Sequence, residues 1–331
     1  MKIGICGGGN IAHAVAAYTA ILKNQVYVYT RHPEQWGKAL QASFPSGHTH
    51  TCHLAAVTHN PEILRDCEVV VIALPRFAIE SVCNEIKTYL RKDQLLLIVP
   101  GSPYVRQMQE DPSWRYMPLA ALYKVPFISR TTQYGHAVSL TGFRDMNRIW
   151  LNSETNDSWI PVLENLFQTP LQKLSSSWPF LLTNSNPLLH PSRMSILFRG
   201  YNEGMSYDRN FLFYEEWTDE SSELYLAADA ELLQLCEVCP GMTIGQDIVP
   251  IKMYYNASDA ASLTRKIRSI EAFKGITSPM KQRIDGRWIP DFSSRYFTED
   301  ITWGTKPICR YAQQVGISVP TIESFIALLP D

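Results

Sequence analysis

The sequence predicts an α/β protein: an N-terminal Rossmann-type, doubly wound parallel sheet followed by an all-helical C-terminal domain. Three observations predict it. A glycine-rich turn, Gly7-Gly8-Gly9, directly follows the first strand-like segment. Continuous apolar runs, EVVVIAL over 68–74 and QLLLIV over 94–99, have the character of strands covered on both faces of a parallel sheet. Past about residue 175 such runs stop and helical periodicity takes over.

Taken in order, residues 2–6 read as a short buried strand and 10–22 as a helix with an alanine-rich face. Residues 26–30 alternate like a second strand. Residues 137–141 and 148–151 read as later strands, with a helix near 159–168. Strand–helix alternation of this kind argues for a doubly wound sheet. In the second half, helical periodicity runs through 222–239, 258–274 and 305–315, and Pro320 opens a last short helix, since proline is tolerated in a first turn. No Gly- or Ser-rich linker separates the halves. The division expected is a dinucleotide-binding domain over 1–176 and a helical domain over 177–331.

Composition bounds the function. At 331 residues two domains are the default expectation, and 45% apolar with 19% charged residues is ordinary for globular chains. A net charge of −2 gives no electrostatic reason to expect nucleic acid or an anionic membrane as partner. No run approaches the roughly 18–20 apolar residues that cross a bilayer. The opening MKIGIC carries no signal-peptide pattern. Seven scattered cysteines suit reduced thiols in a cytoplasm better than a disulfide framework. Cys236 and Cys239 form a lone C-x-x-C at the end of a helical pattern, without a second ligand pair, so packing rather than metal is expected of them. A homodimer is compatible with all of this.

The strongest local signal is Gly7, Gly8, Gly9, Asn10, Ile11 and Ala12, a G-x-G-x-x-A between a strand and a helix. The glycines permit a tight turn and close backbone approach, so a pyrophosphate can sit on the free N–H groups of the helix N-terminus. The second strand ends at Thr30 and Arg31, where an NAD site usually carries an acidic residue for the ribose hydroxyls. A hydroxyl followed by a guanidinium suits a 2′-phosphate, so NADP(H) is favoured over NAD(H). Leu74 and Pro75 end the next buried strand, where the nicotinamide half would pass.

Two polar clusters stand out in the helical half. His190, the only histidine there, lies between Pro187 and Pro191, which restrict its backbone. Arg295, Glu299 and Asp300 gather a guanidinium and two carboxylates ahead of a helix. A histidine is the usual proton donor in hydride transfer, and a carboxylate would orient it. Read alone, a lone histidine such as His190 is more often structural than catalytic, and Glu299 and Asp300 can likewise simply cap the following helix. No second histidine or cysteine stands at metal-ligand spacing from His190, so no metal is expected.

These residues resemble the opine dehydrogenases, the octopine, nopaline and related N-carboxyalkyl amino acid dehydrogenases. The resemblance runs in order through GGGNIA, LPRFAIE, VPFISRTTQYGHAVSLTG, NPLLHP and RYFTEDITWGTKPI with its trailing VPTIESFI. It implies reductive condensation of an α-keto acid with the amine of an amino acid, with hydride from NADH or NADPH. Carried over by motif, His190 resembles the catalytic acid/base, Asp300 its carboxylate partner and Arg295 a residue lining the substrate pocket. Ile79 departs from the histidine many members have in F-A-H-E, and Thr302-Trp303 departs from the frequent residues after E-D-I/V.

Two other readings use the same first domain. An NADP-linked keto-acid reductase of the ketopantoate type would need no amine and commonly relies on a lysine in the helical domain. A non-catalytic nucleotide sensor would bind the cofactor without turnover; the clustered His190, Arg295 and Asp300 argue against it.

Overall fold

A computed structural model describes residues 1–330, and the chain divides by its internal contacts into two units, Met1–Phe180 and a second beginning at Leu181. The first carries strands β1 (Lys2–Cys6), β2 (Gln25–Tyr29), β3 (Ala39–Ser43), β4 (Thr49–His53), β5 (Ala56–Thr58), β6 (Val69–Ile72), β7 (Leu95–Ile98), β8 (Leu119–Leu122), β9 (Phe127–Gln133), β10 (Ala137–Phe143), β11 (Asn147–Leu151) and β12 (Leu171–Lys173). Its helices are α1 (Asn10–Ile21), α2 (Arg76–Ile86), α3 (Tyr104–Glu110) and α4 (Trp159–Phe167).

The main sheet has the order β12-β11-β8-β7-β6-β1-β2-β5 and is parallel except where β11 runs against β8. The apolar runs have a simple cause in this arrangement. Ile3, Ile5, Val69, Val71, Leu95 and Leu97 enter one buried cluster, while Cys6, Val70, Ile72, Leu96 and Ile98 enter another. Alternate residues point to opposite faces and both faces are covered, so every position is apolar. The strand order reverses at β1, which pairs with β2 on one side and β6 on the other.

The segment 137–141 does not extend this sheet. It lies in β10 of a second sheet, ordered β4-β3-β10-β9. Residues of α1, the main sheet and this second sheet share one core, including Ala16, Val26, Leu40 and Leu140. Ala12 to Ala17 of α1 are all buried in consequence, which is why the helix is rich in alanine: only small side chains fit between two close-packed layers.

The second unit is helical, with one hairpin that helical periodicity does not announce. Its helices are α5 (Asn186–Leu197), α6 (Asp219–Glu237), α7 (Ile251–Tyr255), α8 (Ala260–Ser269), α9 (Lys306–Val315) and α10 (Pro320–Ser324). The hairpin pairs β13 (Met280–Gln282) with β14 (Trp288–Pro290). The periodic stretch 258–274 is α8 followed by a short 3-10 turn, and 305–315 is α9 preceded by a π-helix over Tyr296–Thr305. The last residue of the expected helical domain, Asp331, lies outside the described residues. Caps close these helices: the Asp259 carboxylate accepts the Ser262 N–H at 2.8 Å, and Glu231 of α6 accepts the N–H groups of Thr321 and Ile322 that open α10. Among the described residues no helix is long and apolar enough to cross a membrane.

Candidate active site

The glycine turn at the end of β1 is built by close approach. Gly7 has φ of +141°, and a Cβ there would stand 2.3 Å from the carbonyl oxygen of Ala73, beyond the end of β6. A Cβ on Gly8 would meet the Tyr134 hydroxyl at 2.5 Å and the Thr30 hydroxyl at 3.1 Å. Gly9, which opens α1, has nothing within 4 Å of that position. The turn is therefore tight behind, lined by hydroxyls at Gly8, and open at Gly9. The first N–H groups of α1 have no side-chain cap, as a helix end that receives an anion requires. These features fit a dinucleotide pyrophosphate.

Asn10 is committed elsewhere: its Oδ1 accepts the Thr131 N–H of β9 at 2.8 Å. Ile11 packs on the core and Ala12 is fully buried. Thr30 is buried while Arg31 beyond it is exposed. Leu74 is half-buried and Pro75 caps α2. A further histidine ties this turn to the second sheet. His13 of α1 is fully buried, accepts the Gly135 N–H on Nε2 at 2.7 Å and therefore carries its proton on Nδ1, which donates to the Gly9 carbonyl at 2.9 Å. Its ring stacks on Trp36 at 4.1 Å. Burial, partly offset by the Gly9 bond, holds His13 below the ordinary histidine range. Lys124, just past β8, is another residue that pattern reading passes over. Burial, with Arg144, Arg148 and Arg76 nearby, pushes its amine down to about 8.

The second unit brings His190 and Asp300 together across 110 residues of chain. Nδ1 of His190 lies 2.8 Å from Oδ2 of Asp300, and the two side chains are 7% and 9% exposed. A buried carboxylate at that distance sets the proton on Nδ1. Nε2 then accepts the hydroxyl of Tyr214 at 2.9 Å. Tyr296 lies over the imidazole with centroids 4.2 Å apart, and Phe213 meets it edge-on at 5.6 Å. Burial, reinforced by Tyr296, Tyr255 and Asp300, pushes the Tyr214 hydroxyl well above the usual phenol range, so it stays a donor.

The local fold explains the geometry. His190 sits in α5 with Pro187 in the first turn and Pro191 inside the helix. Pro191 has no N–H for the carbonyl of Pro187 four residues earlier. The Thr305 hydroxyl donates to that carbonyl instead, at 2.7 Å. Thr305 closes the π-helix that carries Asp300, so the proline that breaks the α5 hydrogen-bond ladder also supplies the anchor for the carboxylate. The sequence reading sets Glu299 and Asp300 ahead of a helix as possible caps; the structure sets both inside one, with Asp300 turned onto His190.

Arg295 is not gathered into this buried set. It stands at the N-terminus of the π-helix with its side chain 69% exposed, 4.0 Å from Glu299 Oε2. Tyr214 carries no motif that would mark it, because an aromatic run such as FLFYEEW reads as core, and Tyr296 lies inside RYFTEDITWGTKPI, where the charged residues draw the reading. Cys236 and Cys239 are buried at the end of α6, and Cys239 Sγ donates to the Leu235 carbonyl.

Comparison with known proteins follows this geometry. Residues 173–330 match the family described as NAD/NADP octopine/nopaline dehydrogenase, alpha-helical domain. Residues 2–99 match the family described as NADP oxidoreductase coenzyme F420-dependent. Tauropine dehydrogenase of Arabella iricolor is 25% identical, covering 97% of this chain and 89% of its own. A solved octopine dehydrogenase in complex with NADH and agmatine has the same fold, with a TM-score of 0.87 at 21% identity over 99% of this chain and 88% of that one. A ketopantoate reductase of Ralstonia eutropha is similar at a TM-score of 0.65 and 16% identity, over 99% and 97% of the two chains.

Proposed function

We propose that this chain, which belongs to the opine dehydrogenase family, is an NADPH-dependent oxidoreductase of CH–NH bonds that joins an α-keto acid to the amine of an amino acid and reduces the resulting imine. One observation carries the reading: a buried imidazole whose Nδ1 is held at 2.8 Å by a buried carboxylate, so that Nε2, bonded at 2.9 Å to the Tyr214 hydroxyl that a substrate would displace, is the nitrogen that exchanges protons. Residues 1–176 serve as the dinucleotide domain and 177–331 as the substrate domain, in the cytoplasm, where seven buried cysteines, none of them in a disulfide, stay reduced.

The dinucleotide supplies a hydride when bound, held on Gly7, Gly8, Gly9, Asn10, Ile11 and Ala12, with Thr30 and Arg31 at the 2′-phosphate and Leu74 and Pro75 beside the nicotinamide half. His190 gives the proton that the carbonyl oxygen needs to leave as water when the amine condenses. The nitrogen gives up a proton as the imine forms, so condensation is proton-neutral; the complete reaction consumes one proton, as hydride addition turns the imine into a secondary amine, and His190 would deliver it through Nε2. Asp300 keeps the imidazole in the required tautomer and orientation. Arg295, at the mouth of the π-helix, holds a substrate carboxylate by paired hydrogen bonds. Protein side chains alone carry these proton transfers, and no metal is called for.

A matrix of α-keto acids against amino acids, read by NADPH oxidation and product mass, tests the proposal. The expected result is oxidation that depends on both substrates and a product whose mass is that of keto acid plus amine less one oxygen, since water leaves and two hydrogens are gained. Oxidation with a keto acid alone, giving a hydroxy acid, would replace this reading with keto-acid reduction.

A further inference from the structure

Arg193 lies on α5 three residues after His190, on the neighbouring face of the same turn. It is 4% exposed, and its Nε is buried without a hydrogen-bond partner. Among the described residues no carboxylate forms an ion pair with it. Glu216 is the acid near enough to be felt, but it lies beyond ion-pair distance of Arg193 and is held by other groups. Oε1 accepts from Arg209 at 2.5 Å, and Oε2 accepts from Arg209 at 3.0 Å and from the Leu212 N–H at 2.6 Å. The other charge nearby is Arg268, of the same sign. Burial lowers the Arg193 guanidinium to about 10, the direction expected of a cation whose solvation has not been replaced. A buried charge of this kind is strongly unfavourable unless something pairs with it.

We propose that Arg193 is the receptor for the carboxylate of the α-keto acid. The inference rests on the opine dehydrogenase reading and names a binding residue for it. The chemistry selects the ligand. In an α-keto acid the carboxylate is bonded directly to the carbonyl carbon, so a group that protonates the carbonyl oxygen and a group that binds the carboxylate must stand side by side. Positions three apart on a helix place their Cβ atoms about 5–6 Å from each other. Both also lie near one stretch of chain: His190 meets Phe213 and Tyr214, and Glu216 is close enough to act electrostatically on Arg193. A planar guanidinium binds a carboxylate through two parallel hydrogen bonds, which fixes the carbonyl's orientation as well as its position. Exposed Arg295 is then left for the second carboxylate, that of the amino acid.

The test uses the full-length protein, its Arg193→Met variant and two readouts. The first is the shift of the melting temperature on adding pyruvate, glyoxylate, oxaloacetate or 2-oxoglutarate in the presence of NADPH. Wild type should be stabilised by at least one of them, and Arg193→Met by none. The free variant should melt at a higher temperature than wild type, because a lone buried charge has been replaced by an apolar chain of similar length. A variant that melts lower, fails to fold, or responds to the same keto acid as wild type overturns the proposal. The second readout is steady-state kinetics. Arg193→Met should raise the keto-acid KM roughly 10- to 100-fold, the value of a charge-assisted hydrogen bond, with the amino-acid KM nearly unchanged. A rise in the amino-acid KM alone would overturn the assignment. If wild type oxidises NADPH with no pair of substrates, the opine reading falls by itself, and the melting experiment still decides whether Arg193 binds keto acids.

Discussion

The hydroxyl of Thr305 donates to the carbonyl oxygen of Pro187 across 2.7 Å, and that oxygen is the one Pro191 leaves without an N–H. The bond joins the helix bearing His190 to the π-helix bearing Asp300. Thr305→Val keeps the shape and removes the donor, leaving a buried carbonyl unsatisfied. Such a loss costs about 1–3 kcal/mol. The variant should melt several degrees lower and turn over more slowly, with the NADPH KM unchanged. Calorimetry together with kinetics checks this; unchanged turnover would show that the anchor does not set the His190–Asp300 geometry.

His190 and Asp300 should act as a unit. Reductive condensation consumes a proton, so it needs the imidazolium, whereas oxidation of the product needs the neutral base. The two directions should therefore respond oppositely to pH. His190→Ala should remove that response and reduce turnover by about 10²–10⁴-fold, the usual value of general acid–base catalysis. Asp300→Asn should slow both directions, because the amide can settle the wrong tautomer. Near-normal turnover of His190→Ala, with an unaltered pH profile, would make this a structural histidine.

Arg31 should distinguish the two dinucleotides. No acidic residue stands beside it at the end of β2. Arg31→Ala should raise the NADPH KM about tenfold, the cost of one charge-assisted contact to phosphate, and leave the NADH KM in place. Parallel titrations of the two cofactors decide it, and equal use of both by the wild-type enzyme would remove the preference.

His13 predicts sensitivity to acid at the glycine turn. Its folded-state pKa lies below the unfolded value of about 6.5. The neutral ring is the form that accepts from Gly135, so the unfolded chain binds the proton more readily than the folded one. Stability should be constant above about pH 6.5 and decline as the pH falls below it, toward the folded value. Denaturant melts at pH 7.5 and pH 5.5 check this, with His13→Gln as control. A wild-type loss on acidification that the control shares in full would assign the effect to other groups.

The main sheet was legible because burial on both faces leaves a local trace. EVVVIAL and QLLLIV are apolar at every position, and a glycine turn between a strand and a helix has few other uses. The second sheet left less: 137–141 reads as a strand, but β3, β4, β9 and β10 are polar on one side, and the sheet is joined through a pairing of β10 with β3 from nearly a hundred residues earlier. The β13–β14 hairpin was hidden because its strands are only three residues each, too short to show an alternation.

The fold class, the glycine turn, the family resemblance and the identities of His190 and Asp300 as motif residues are all readable along the chain. These rest on local order: periodicity, adjacency and motif spacing. Only the tertiary structure decided that the two meet at 2.8 Å, that Tyr214 occupies Nε2, that Thr305 replaces the hydrogen bond Pro191 omits, that Arg295 faces solvent, and that Arg193 is buried without an ion-pair partner. Each of these is a relation between segments that no periodicity encodes. A hydrogen bond or a buried charge depends on which groups packing brings within about 3 Å, and packing is settled by the whole chain at once.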